Sequence, residues 1–112
     1  MKYLGKKVVS GGKKILERGT WVGATAYAMA FATNDSNAYI HTCDNQNSFC
    51  NVECPESERI HLNPNTYSSD LLADEKTLSG IDYIFNDANV SYDDCKRMYD
   101  LAVDNFYFIT HD

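Results

Sequence analysis

The feature that most constrains this chain is the regular alternation of short β-prone runs with helix-prone ones from residue 14 onward. The first run, 14–17 (KILE), closes at Gly19, and the second, 38–43 (AYIHTC), closes on Asp44. The third is 59–62 (RIHL), ended by Pro64; the fourth is 81–86 (IDYIFN) and the fifth 105–110 (NFYFIT). Short β-branched and aromatic runs bounded by Gly, Pro, Asn or Asp read as strands. Between them the spacing predicts a helix over 20–33, with Val22, Ala26, Met29 and Thr33 near one face and Asn34 as its stop. Ser69 caps a predicted helix over 70–78 that ends at Gly80. Ser91-x-x-Asp94 approximates a capping box before a third helix over 92–104, with Cys95, Met98, Leu101 and Ala102 on its apolar face. Segment 45–58 is polar, contains Pro55 and reads as a loop with at most one helical turn.

Strands alternating with helices predict an α/β fold: a parallel sheet with helices on both faces. In open sheets of this kind ligands bind beyond the carboxyl ends of the strands, at the switch point. The notable polar residues fall there. Glu17 and Gly19 end the first strand, Asp44 the second, Asn65 and Thr66 follow the third, Asp87 the fourth, and His111-Asp112 the fifth. Gly19 and Gly23 let the backbone turn sharply and let a ligand approach the helix start. An acid closing the second strand can take both hydroxyls of a ribose, because a carboxylate has two acceptor oxygens. Asp87 and Asp112, at the ends of adjacent strands, could hold one hard divalent cation.

Each feature also has a plainer reading. A G-x-x-x-G after a strand serves equally as a tight turn, and a strand-end Asp as a helix cap. Asp94, Asp100 and Asp104 read as a solvated helix face, and His41 and His61 as structural strand residues. Trp21 is either core or the wall of a cleft.

Charge narrows the function classes. The net charge is −6, but residues 1–22 carry six basic groups against one acid, while the remainder carries four basic groups against fifteen acids. The acidic body argues against a nucleic-acid surface, since phosphate contacts need clustered Lys and Arg. Residues 1–13 form a basic leader to a single domain spanning 1–112 and lack the apolar core of a secretory signal. No apolar run approaches the roughly 18 residues of a membrane span. Cys43, Cys50, Cys54 and Cys95 follow no C-x-x-C spacing, so reduced thiols in a cytoplasmic protein are expected rather than structural zinc.

The stretch 15–32, "ILERGTWVGATAYAMAFA", resembles the first motif, acid-x-Gly-x-x-x-Gly, of the class I S-adenosylmethionine-dependent methyltransferases, most similar to the small-molecule O-methyltransferase branch. "AYIHTCDN" resembles the second motif, "IDYIFNDANVSY" the fourth-strand motif, and "FITHD" the end of the fifth strand. The resemblance implies a Rossmann-like three-layer α/β/α fold of about five strands in the order 3-2-1-4-5, without the family's last two strands. It implies that Glu17, Gly19, Thr20, Trp21 and Gly23 line the methionine and ribose end of the cofactor. Asp44 with Asn45 would bind the ribose, Asn65 and Thr66 would flank the adenine, and Asp87 would be the catalytic residue near the methyl group. In cation-dependent members Asp87 and Asp112 match metal-ligand positions, with a divalent cation such as Mg2+ orienting the acceptor hydroxyl. The implied partner is a small-molecule acceptor, with neither nucleic acid nor membrane. The fifth strand would be an exposed edge through which a homo-oligomer could form.

The residues leave a second reading open: a non-catalytic, truncated methyltransferase-like module that binds cofactor or a partner. A nicotinamide oxidoreductase fits less well, because Trp21 replaces the middle glycine of G-x-G-x-x-G.

Overall fold

The computed structural model describes residues 13–21, 23–47, 53–87 and 91–110. Five strands, β1 (Lys14–Arg18), β2 (Tyr39–Cys43), β3 (Ile60–Asn63), β4 (Ile81–Asn86) and β5 (Ala102–Thr110), form one sheet in the order β3-β2-β1-β4-β5. All four pairings are parallel, with Leu16 opposite His41 on one side and Ile84 on the other. Parallel neighbours require crossovers, and among the described residues α-helices lie in three of the four connections. These are α1 (Ala24–Ala32), α2 (Ser68–Leu72), α3 (Glu75–Leu78) and α4 (Tyr92–Leu101).

Alternation along the central strands sorts side chains into two cores. Ile15, Ile40, Tyr83 and Phe85 pack with Ala26, Met29 and Ala30 of α1 on one face. Leu16, Ile81 and Ile84 pack with Leu71, Leu72, Leu78, Met98 and Leu101 of α2, α3 and α4 on the other. Each fully buried aliphatic side chain contributes about 1.5–3 kcal/mol, so these two layers carry most of the stability. Among the described residues β3 and β5 are the edge strands, and Val103, Tyr107 and Phe108 of β5 are exposed.

Three boundaries differ from the sequence expectation, each for a local reason. The first helix begins at Ala24 rather than residue 20, because Gly19, Trp21 and Gly23 take positive φ values of 102°, 48° and 81°. No α-helix propagates through left-handed residues. The expected helix over 70–78 is two short helices, because Asp74 leaves the helical path and its carboxylate accepts the Thr77 N–H at 3.2 Å. The last helix ends at Leu101 rather than 104. Leu101 O accepts the Gly80 N–H at 2.8 Å, and Ala102 pairs opposite Ile81, so the chain passes directly into β5. Cys95, expected on the apolar face of that helix, is exposed. The loop before β3 contains one 3₁₀ turn, Pro55–Arg59, packed against α1. Among the described residues no helix is long and apolar enough to cross a membrane.

Candidate functional site

Strand order reverses between β1 and β4, so the loops leaving these strands diverge and open a crevice. A cavity of about 610 Å³ lies there, within the range of small-ligand sites. Gly19, Asp44, Asn45, Thr66 and Asp87 line it, drawn from the carboxyl ends of four strands. Those five sequence-nominated residues are therefore brought together.

Gly19 owes its place to sterics. Its φ is +102°, and a Cβ there would lie 2.8 Å from the main-chain oxygen of Asp87. The Gly19 and Thr20 N–H groups both donate to Cys43 O, at 2.7 and 3.2 Å, which fixes the turn after β1 against the end of β2.

Asp44 organises the neighbouring loops. One carboxylate oxygen accepts the Trp21 N–H at 3.0 Å, and the other accepts the Gln46 N–H at 3.0 Å. Its main-chain oxygen accepts the Thr66 N–H at 2.7 Å. A carboxylate offers about four lone-pair positions, so each oxygen keeps capacity for a ligand hydroxyl.

The remaining nominated residues lie off the cavity wall. Trp21 is 77% exposed, held in left-handed backbone by Asp44. Gly23 is buried at the start of α1. Asn65 is exposed, with its N–H donated to Gln46 O at 2.9 Å. Glu17 and Thr20 are buried on the α1 face of the sheet. Thr42 Oγ1 donates to Glu17 Oε1 at 2.6 Å, and the Thr20 and Thr42 hydroxyls lie 2.5 Å apart. Glu17 Oε2 is buried with no hydrogen-bond partner among the described residues. Burial pushes the Glu17 carboxyl up to about 8, with the Thr42 bond opposing and Asp87 and Asp44 adding to the rise. Glu17 is thus a neutral acid at pH 7, not a carboxylate. Asp112 lies outside the described residues. Among the described residues no group of three or more His, Cys, Asp or Glu could hold a metal ion.

The structure adds a polar network that the sequence reading missed. Alternation sends Arg18, one residue after Glu17, to the opposite face, where its side chain lines the cavity at only 4% exposure. Its guanidinium donates to Asn86 Oδ1 at 2.9 Å, to Ser68 Oγ at 2.5 Å and to Asp94 Oδ2 at 3.1 Å. Asp94 is consequently not part of a solvated helix face. It is half-buried, paired with Arg18, and accepts the Ser68 hydroxyl at 3.0 Å. An Arg directly after the first strand run, KILE, was the available signal, since a buried cation needs an acid partner. The partner lies 76 residues away, beyond the reach of any local pattern. With Asp44, Asp87 and Asp94 against Arg18, the lining carries an excess of acids and favours a cationic ligand.

No family model and no curated protein matches the sequence. Among solved structures, the chain is similar to the O-methyltransferase TomG from Streptomyces achromogenes, involved in tomaymycin synthesis and solved in complex with S-adenosylmethionine. The TM-score is 0.68 at 16% identity, over 97% of this chain. The chain spans about half of that protein, 53% of its length. The chain therefore shares the fold of that solved structure, a Rossmann-like parallel sheet with strand order 3-2-1-4-5.

Proposed function

We propose that this chain binds S-adenosylmethionine and directs its methyl group to an oxygen of a small molecule. The observation that carries the reading is the convergence of Gly19, Asp44, Asn45, Thr66 and Asp87 on one acid-rich cavity at the switch point of this fold. The residues fit the cofactor. Asp44 retains acceptor capacity for ribose hydroxyls, and Gly19, packed against the Asp87 main chain, brings the β1–α1 turn to the cavity wall. Among the described residues the buried Oε2 of Glu17, at the same strand end but off the cavity wall, has no hydrogen-bond partner.

When bound, S-adenosylmethionine supplies an electrophilic methyl carbon on a cationic sulfonium. The chain's own contribution is alignment and charge. Asp44 orients the ribose, Asn45 and Thr66 flank the nucleoside, and the acid excess favours the cation. Asp87, at the exit of β4, is the carboxylate placed to hold an acceptor hydroxyl and accept its proton.

Titration with S-adenosylhomocysteine tests the binding half. At 100-fold excess over Kd the chain should gain about 2.7 kcal/mol of stability. An unchanged melting temperature at millimolar ligand overturns the reading. Transfer of labelled methyl to a panel of hydroxylated acceptors tests the second half; binding without transfer would identify a cofactor-binding module instead.

A further inference from the structure

We propose that Arg18 is a positioning residue that sets the shape of the strand-end cavity by pinning the first turns of α2 and α4 to the end of β1. On the functional reading above, on which its ligand arm rests, Arg18 thereby controls cofactor affinity.

Two helix starts supply part of the cavity wall. Tyr67, Ser68 and Ser69 supply it from α2, and Ser91 and Asp94 from α4. α2 has five residues and the adjoining α3 four. Helices this short do not hold themselves in water, so tertiary tethers decide where they sit. Arg18 is a tether that reaches both α2 and α4. One terminal nitrogen holds Asn86 at the end of β4, and the other holds Ser68 of α2 and Asp94 of α4 together. The Ser68–Asp94 bond closes the triangle. The planar guanidinium can do this because its donors diverge in a fixed fork; a Lys ammonium at the same place offers a point charge without that geometry. The far end of α2 is tied independently. Arg97 of α4 donates from Nε to Leu72 O at 3.1 Å and pairs with Glu75 at the start of α3. Arg97 does not line the cavity, so the two arginines separate holding the helix from shaping the wall.

The test uses Arg18→Met, Arg18→Lys and the double variant Arg18→Met/Asp94→Leu. Replacing a buried ion pair by apolar residues restores packing without restoring the fork, so the double variant should regain melting temperature. Two readouts follow: amide hydrogen exchange of 67–72 and 91–95, and affinity for S-adenosylhomocysteine by calorimetry. The expected result is faster exchange at both helix starts with the sheet unchanged. Affinity should fall about tenfold or more in all three variants, the scale of one lost charge-assisted hydrogen bond. Recovery of affinity together with stability in the double variant, or unchanged exchange at both helix starts in Arg18→Met and Arg18→Lys, overturns the inference. If the unaltered chain binds no S-adenosylhomocysteine, the functional reading falls, and exchange alone decides the role of Arg18.

Discussion

A Cβ on Gly19 would lie 2.8 Å from the carbonyl oxygen of Asp87, and the Asp87 N–H in turn donates to Arg18 O at 2.9 Å. The last residues of β1 and β4 are thus in backbone contact at the point where the sheet reverses. That contact brings a turn and a strand-end acid to the same cavity.

Gly19→Ala should therefore destabilise the fold by about 1–3 kcal/mol, from the steric clash and from the left-handed backbone that alanine resists. The lowered midpoint of a denaturant titration is the measurement. A midpoint equal to that of the unaltered chain would mean that the turn relaxes freely and that the contact carries no constraint.

Two buried groups give a pH dependence with opposite signs. Burial raises the Glu17 carboxyl from 4.5 to about 8. Between those values the folded chain holds a proton that the unfolded chain has lost. The stability from Glu17 is full below 4.5 and is lost as pH rises, at about 1.4 kcal/mol per unit. Burial, then the neighbouring His61 and Lys14, lowers His41 from 6.5 to about 4. There the unfolded chain holds the extra proton, so stability falls as pH drops from 6.5 towards 4. The two effects oppose each other between 4.5 and 6.5, and of the two only Glu17 acts from 6.5 to 8. Melting temperature should decline over that upper window in the unaltered chain and stay level in Glu17→Gln. The same decline in both proteins would assign the proton elsewhere.

Asp44→Ala removes the acceptor of two main-chain N–H groups, those of Trp21 and Gln46. The site is only partly buried, so water replaces much of what is lost and the stability cost should be about 1 kcal/mol. On the proposed cofactor reading, affinity for S-adenosylhomocysteine should fall about tenfold or more, since Asp44 would be the charged acceptor of the ribose hydroxyls. Equal affinity in the variant, read by calorimetry, would remove Asp44 from the ribose role.

Arg59 closes the carboxyl end of α1 from the 3₁₀ turn. Its guanidinium donates to Ala30 O at 2.6 Å, Ala38 O at 2.7 Å and Thr33 Oγ1 at 3.3 Å, with only 8% of the residue exposed. A cation here satisfies helix-end carbonyls and complements the helix dipole. Arg59→Met should cost about 2–4 kcal/mol by removing the charged donor from Ala38 O and Ala30 O, of which Ala30 O keeps only the Thr33 hydroxyl at 3.2 Å. A melting temperature within a degree of the unaltered chain would show that the carbonyls find other donors.

The sequence showed the strands more clearly than the helices. Ile15, Ile40, Ile81 and Ile84 sit in short runs whose period and boundaries are local, and each proved a core position. Helix limits were less legible. The start of α1 depends on Trp21 and Gly23 adopting left-handed backbone, and the break at Asp74 depends on a cap to Thr77. Both compete with a periodic pattern that continues across them.

What the sequence determined by itself is the α/β alternation and the placing of Gly19, Asp44, Thr66 and Asp87 at strand ends, because hydrophobic period and turn chemistry are written within a few residues. Only the tertiary structure decided that Glu17 and Arg18, neighbours in the chain, face opposite layers, one a neutral buried acid and the other a cation bound to Asp94. It also decided that Ser68, Ser91 and Asp94 join the wall of the cavity. The physical reason is that strand pleating fixes which side a residue faces, but the partner it meets there comes from a helix elsewhere in the chain, and sequence separation carries no trace of that distance.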